Sequence, residues 1–206
     1  MIESRWYMRV GNLGFNLLAL NLFWLLFSTL GLYVLGIFPA TVALFAVVKQ
    51  LIIEKDDIQV FKAFWKNFKM EFVKANVLGY LVLAIGVILY LDLKVIQGLE
   101  IPLLYTVLNG LIIFVIFIYL LIVLYIFPIF VYYDFKFWQY PKYAIVIAIG
   151  RPLQTILIIA GTTALLLLYR HFPFLIVIFG MSLLSYIITK IASSSFPNKN
   201  VKDDNL

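Results

Sequence analysis

Apolar positions in this chain fall into long uninterrupted runs separated by short polar breaks. The runs extend from Phe15 to Leu35, Ile37 to Ile53, Ala75 to Leu91, Leu103 to Val131, Leu153 to Tyr169 and Phe174 to Ile191. A hydrocarbon core about 30 Å thick takes roughly 20 helical residues at 1.5 Å each. Five of the runs meet or approach that length, and the second is short. Backbone groups in lipid must be satisfied within the chain, and none of the runs alternates as a barrel strand would. The pattern therefore predicts an all-α fold, a polytopic transmembrane helix bundle of about six crossings. One domain covers residues 1–192, and a polar tail covers 193–206.

The second run can cross with little tilt, begin below the membrane surface, or form a re-entrant hairpin. Gly36, ahead of it, suits a sharp reversal, and Pro39 suits a first helical turn. Thr41 completes this turn motif. The first run follows Arg5 and Arg9, as a signal peptide would, but exceeds the usual apolar core of roughly 7–15 residues. It reads as a retained helix.

The longest polar stretch, Asp57 to Lys74, has its own period. Ile58, Phe61, Phe64, Trp65, Phe68 and Phe72 recur at steps of three and four, which places them on one helical face. Lys62, Lys66 and Lys69 share an adjoining face. An aromatic stripe flanked by lysines predicts an interfacial helix, and its face offers a contact surface for a partner. A second interfacial helix is expected to start near Pro141, because Ala144 to Gly150 is apolar but too short to cross. Each element follows a crossing, carries a Phe-Trp pair beside lysines and precedes another crossing, which suggests an internal repeat.

Composition strengthens the membrane reading. The chain of 206 residues is 65% hydrophobic and 13% charged, with a mean hydropathy of +1.06. Soluble domains are roughly half apolar and a quarter charged. A soluble enzyme and a free nucleic-acid binder are excluded on that ground. The net charge of +6 is explained by basic loops. If all six runs cross with the N-terminus cytoplasmic, every lysine and arginine except Lys94 and Arg170 falls on the cytoplasmic side. Both termini are then cytoplasmic, in a multi-pass protein of the cell membrane.

Candidate chemistry is sparse. The chain has no cysteine and a single histidine, His171, so thiolate and histidine-cluster metal sites are excluded. No run carries a charge at its middle, where proton- and ion-coupled carriers place their working residues. No nucleotide-binding, zinc-protease or serine-hydrolase motif occurs. Neither a cofactor nor an enzymatic activity is expected. Neutral polar residues within the runs, Asn21, Asn109 and Thr162 among them, serve either helix packing or a polar pathway.

Three stretches resemble the YesL family of bacterial membrane proteins. Asn21-Leu22-Phe23-Trp24-Leu25-Leu26-Phe27-Ser28 resembles its first-helix signature. Gly36 to Thr41, leading into Ala43-Leu44, resembles its second segment, and Phe64-Trp65-Lys66-Asn67-Phe68-Lys69 its aromatic-basic helix. Ala144 to Pro152 matches loosely and lacks an Asn-Ala start. The resemblance implies a setting in Gram-positive bacteria, beside genes for carbohydrate-uptake ABC transporters and polysaccharide breakdown. It supplies no catalytic residue. The expected function is a non-enzymatic accessory or regulatory subunit of such a transporter, in contact with its permease subunits. The alternative is a small stand-alone sugar transporter.

Overall fold

The computed structural model describes residues 3–53, 58–98 and 101–194, with the side chains of residues 3–6 and 9 excepted. Arg5 and Arg9 as side chains, Lys55, Lys199, Lys202 and the tail beyond Ser194 lie outside the described residues. Among those residues there are eight helices and no strand. They are α1 (Glu3–Leu30), α2 (Ile37–Ile53), α3 (Val60–Met70), α4 (Phe72–Gln97), α5 (Pro102–Tyr132), α6 (Gln139–Gly150), α7 (Pro152–His171) and α8 (Phe174–Ser193). The apolar parts of α1, α4, α5, α7 and α8 are long enough to cross a bilayer, and α2 is a shorter apolar helix. The chain is thus a multi-pass helical membrane protein with about six crossings.

The short helix lies at the centre. α2 packs against α1, α3, α4, α5 and α8, and every residue from Pro39 to Val48 is buried. A helix whose middle is enclosed by protein need not match the hydrocarbon thickness, because little of its length meets lipid. One core cluster joins α2 to α1 and α3, through Leu20, Leu44 and Phe64 among others. The other joins it to α4–α8 through Phe45, Tyr125 and Ile188. At the far end of α2, the Lys49 ammonium donates to the Val131 carbonyl of α5 at 3.0 Å and lies 4.6 Å from the Tyr132 ring. A cation there complements the carbonyl end of α5.

The long polar stretches become short helices that fold back on their predecessors. α3 packs on α2 and runs into α4 after Glu71. α6 packs on α5 and gives way to α7 at Arg151. In each case a short returning helix links an apolar helix to a long one, over α2–α4 and α5–α7. In the second unit Tyr140, Ala144 and Ala148 form the buried stripe of α6, at steps of four as a helix face requires. Tyr140 accepts from the Phe135 N–H at 3.2 Å and donates to the Tyr133 carbonyl at 3.3 Å. Burial raises its phenol pKa, and the Phe135 bond lowers it in part, so the group remains a donor at neutral pH.

The first helix ends at Leu30, earlier than its apolar run suggests. Leu32 and Tyr33 adopt left-handed backbone, with φ of 53° and 60°. The Tyr33 N–H donates to the Ser28 carbonyl at 2.7 Å and the Leu32 N–H to that of Thr29 at 2.8 Å. That pair of bonds is a Schellman ending, in which glycine usually takes the place held here by Leu32. The sharp reversal for which Gly36 is suited takes its left-handed residues from Leu32 and Tyr33, and the φ of Gly36 is not positive. Gly36 supplies room instead, because a Cβ there would collide with the Phe27 carbonyl and with Ser28 Cα. The turn carbonyls are not left bare: Asn76 donates to Leu35 at 3.0 Å, and the Tyr80 hydroxyl bonds to Val34. Irregular backbone in an apolar setting needs such partners.

Candidate functional site

The aromatic face of α3 is divided by the fold. Phe64 is 0% exposed and Phe68 8%, while Phe61 is 53% and Trp65 38% exposed. Phe64 and Phe68 sit in the core formed with α1 and α2. The two buried rings are therefore closed to any partner, which corrects the sequence reading of a single open stripe. The cause is the proximity of α1. Phe23 meets the Phe61 ring at 5.3 Å and Phe64 at 6.0 Å, and Phe27 meets Phe64, Trp65 and Phe68 at 5.1–5.4 Å. The spacing gives the period of the face but not the element it packs against. Phe72, the first residue of α4, is half-buried and meets the Phe68 ring edge-on at 5.6 Å.

What remains outside is a compact mixed surface. Lys62, Lys66 and Lys69 are exposed beside Phe61 and Trp65. Lys69 lies 4.8 Å from the Trp65 ring, which itself stacks on Phe68 at 5.9 Å. The exposed rings are thus held by buried ones, and the lysines flank them. Such a surface can receive an acidic and apolar partner without first being ordered.

The turn motif connects the first two helices. Trp24 Nε1 donates to Thr41 Oγ1 at 3.0 Å, and that hydroxyl donates to the Ile37 carbonyl at 2.7 Å. Pro39 is buried in the first turn of α2. Asn21, one helical turn before Trp24, clamps α8. Its amide donates to the carbonyls of Ile176 and Val177 at 3.2 and 2.7 Å, and its oxygen accepts from the N–H groups of Met181 and Ser182 at 2.9 and 3.4 Å. Gly180 lies beside it, with a Cβ position 3.7 Å from Asn21 Oδ1. Tyr169 adds a second clamp, donating to Gly180 at 2.9 Å. All four hydrogen-bonding positions of the Asn21 amide are occupied by backbone.

The three residues offered as a polar pathway do not meet. Asn21 is on α1, Asn109 on α5 and Thr162 on α7, and the backbones of these helices are not neighbours. Asn109 is half-buried in the first third of α5. Thr162 Oγ1 is buried with no partner among the described residues. A further polar joint lies between α5 and α7. There the Tyr125 and Thr155 hydroxyls lie 2.9 Å apart, and Thr155 donates to the Ala148 carbonyl at 2.8 Å. This joint fixes α6 and α7 to α5. Among the described residues no three His, Cys, Asp or Glu side chains gather as metal ligands would.

The Asn21 clamp has a measurable consequence. Interhelical hydrogen bonds in membranes contribute roughly 0.6–2 kcal/mol. Asn21→Leu loses all four contacts at once, and we expect a loss of about 1–3 kcal/mol. Thermal unfolding in detergent reads it, and Asn109→Leu should leave the midpoint within error.

Comparison with known proteins finds relatives along most of the chain. Residues 17–93 match the family described as "Protein of unknown function, DUF624". The uncharacterized protein YteU of Bacillus subtilis (strain 168) is 38% identical over 166 residues, covering 81% of this chain and 74% of YteU. YesL of the same organism, also uncharacterized, is 32% identical over 189 residues, covering 92% and 88%. No solved structure matches the chain. The matched stretch contains the Asn21–Trp24 clamp, the Gly36 turn and the divided face of α3, and with two relatives aligned over most of their length this chain belongs to the YesL-like DUF624 family.

Proposed function

We propose that this protein is a non-enzymatic accessory or regulatory subunit of the cell membrane, with both termini cytoplasmic, that acts by contact with the permease subunits of a carbohydrate ABC transporter. The observation that supports the reading is the outer surface of α3. Phe64 and Phe68 fix the helix in the core, and Phe61, Trp65, Lys62, Lys66 and Lys69 are thereby presented together. Exposed aromatic rings are enriched at interfaces, and lysines around them steer an acidic partner. Asn21, Thr41 and Thr155 are spent on helix joints, which favours a contact protein over a conduit. The choice of transporter comes from the setting that the family resemblance implies.

The test is purification of the full chain from native membranes in mild detergent. The permease subunits should accompany the wild type and be lost from Trp65→Ala/Lys66→Glu. Lys66→Glu alone, at an exposed position, should weaken co-purification at unchanged folded yield, which separates loss of contact from loss of the Trp65 packing on Phe27 and Phe68, and sugar uptake should fall. Unchanged co-purification removes the α3 surface from the proposal. Sugar flux through liposomes containing this chain alone would favour the stand-alone transporter.

A further inference from the structure

A groove of about 390 Å³ lies between α2, α4 and α5, open along one side. Phe38, Gly79, Gly86, Tyr90, Tyr119 and Phe127 are among the residues that shape it. Two glycines, seven residues apart on one face of α4, make the groove possible. A Cβ on Gly79 would collide with the Phe38 ring, and one on Gly86 would come within 2.5 Å of the Tyr119 hydroxyl. The Tyr119 hydroxyl is already satisfied, donating to the Val82 carbonyl at 3.1 Å, and the rest of the lining apart from the Tyr90 hydroxyl is apolar. The lining therefore offers dispersion contacts, and a long apolar chain is what fits it.

The dimensions and the charge at one end identify that chain. From Gly79 to Tyr90 α4 rises about 16 Å, and one leaflet of hydrocarbon is about 15 Å thick. One turn further on stands the exposed Lys94, whose ammonium is 5.7 Å from the Tyr90 ring. Lys94 thus leans back over the end of the groove, at the depth of a headgroup. At 100° per residue Asp92 falls on the opposite side of α4, so its charge does not oppose an anion there. We propose that this groove holds one acyl chain of an anionic phospholipid, with the lipid phosphate at Lys94. The proposal is independent of the α3 surface.

The experiment is native mass spectrometry of the full chain equilibrated with equal amounts of phosphatidylglycerol and phosphatidylcholine of identical acyl chains. The wild type should retain one lipid, with phosphatidylglycerol preferred roughly fivefold, the factor that one lysine near an anionic surface is worth. Lys94→Gln should abolish the preference while one lipid is still retained. Leu83→Trp, which fills the groove from an exposed position, should lower retention of both lipids without lowering the unfolding temperature. Equal retention of the two lipids by the wild type overturns the proposal. So does a preference that survives Lys94→Gln, or a dimer that retains no lipid because a second copy fills the groove.

Discussion

Phe64→Ala is expected to destabilise the protein by about 3 kcal/mol, at the lower end of the 3–5 kcal/mol typical of buried phenylalanine. Phe61→Ala, less than one helical turn away, is expected to stay within about 1 kcal/mol. The lower end applies because the unfolded reference lies partly in lipid, where a phenyl ring is already well solvated and the transfer contribution shrinks. The cavity contribution does not shrink. Phe64 fills the space between α1 and α2, with rings of Phe23, Phe27 and Phe68 at 5.4–6.4 Å. Removing it leaves those surfaces without a partner on one side, and lipid cannot enter a fully enclosed site. Unfolding by heat or by denaturing detergent measures the difference. Equal effects of the two substitutions would mean that α3 lies with its whole stripe on lipid, and the core position of Phe64 would then be wrong.

This pair of substitutions also marks the boundary of what a sequence conveys. The apolar runs located the long helices well: Leu103 to Val131 became α5, Pro102–Tyr132, and Leu153 to Tyr169 became α7, Pro152–His171. Lipid enforces helix over the whole of such a run, so hydropathy alone is sufficient. Period alone placed Phe61, Phe64, Trp65 and Phe68 on one face. It could not say that two of them meet α1, because lipid and a neighbouring helix are equally apolar to an aromatic ring. The polar joints were hidden for a related reason. Asn21, Asn109 and Thr162 are alike as neutral polar residues within apolar runs. Only the approach of α8 to Asn21 distinguishes a saturated clamp from an ordinary position.

The two short helices pack alike on the helices before them. Each short helix was legible as a segment too polar or too short to cross. That each folds back along the helix before it follows from the brevity of the connections and from the buried stripes Phe64–Phe68 and Tyr140–Ala144–Ala148. The two units differ in what flanks them. α3 also meets α1, whereas α6 meets α5 and α7. Both units expose rings beside lysines, with Trp138 and Tyr143 near Lys136 and Lys142 in the second, but only in the first does α1 hold the inner rings.

Gly36→Ala is expected to cost about 3 kcal/mol or more, although alanine usually gains about 1 kcal/mol over glycine within a helix. The new methyl would meet the Phe27 carbonyl, with Ser28 Cα and the Ser28 carbonyl each 2.9 Å away. These are backbone atoms, so no side chain can rotate aside. The last turn of α1 must move, and with it the 2.7 Å bond from Tyr33 to Ser28. That ending is already strained, since Leu32 and Tyr33 hold left-handed backbone at about 1–2 kcal/mol each. Loss of the close approach would release the turn from Asn76 and Tyr80, which bond to Leu35 and Val34. The chain has no native cysteine, so a cysteine placed at Tyr33 reports the release as faster labelling in Gly36→Ala than in the parent. Gly14→Ala is the control, because a Cβ there meets nothing within 4 Å. If Gly36→Ala matches that control in stability and labelling, the close turn does not exist in the membrane. A fall confined to Gly36 means that this glycine acts by letting two backbones touch, with the reversal itself carried by Leu32 and Tyr33.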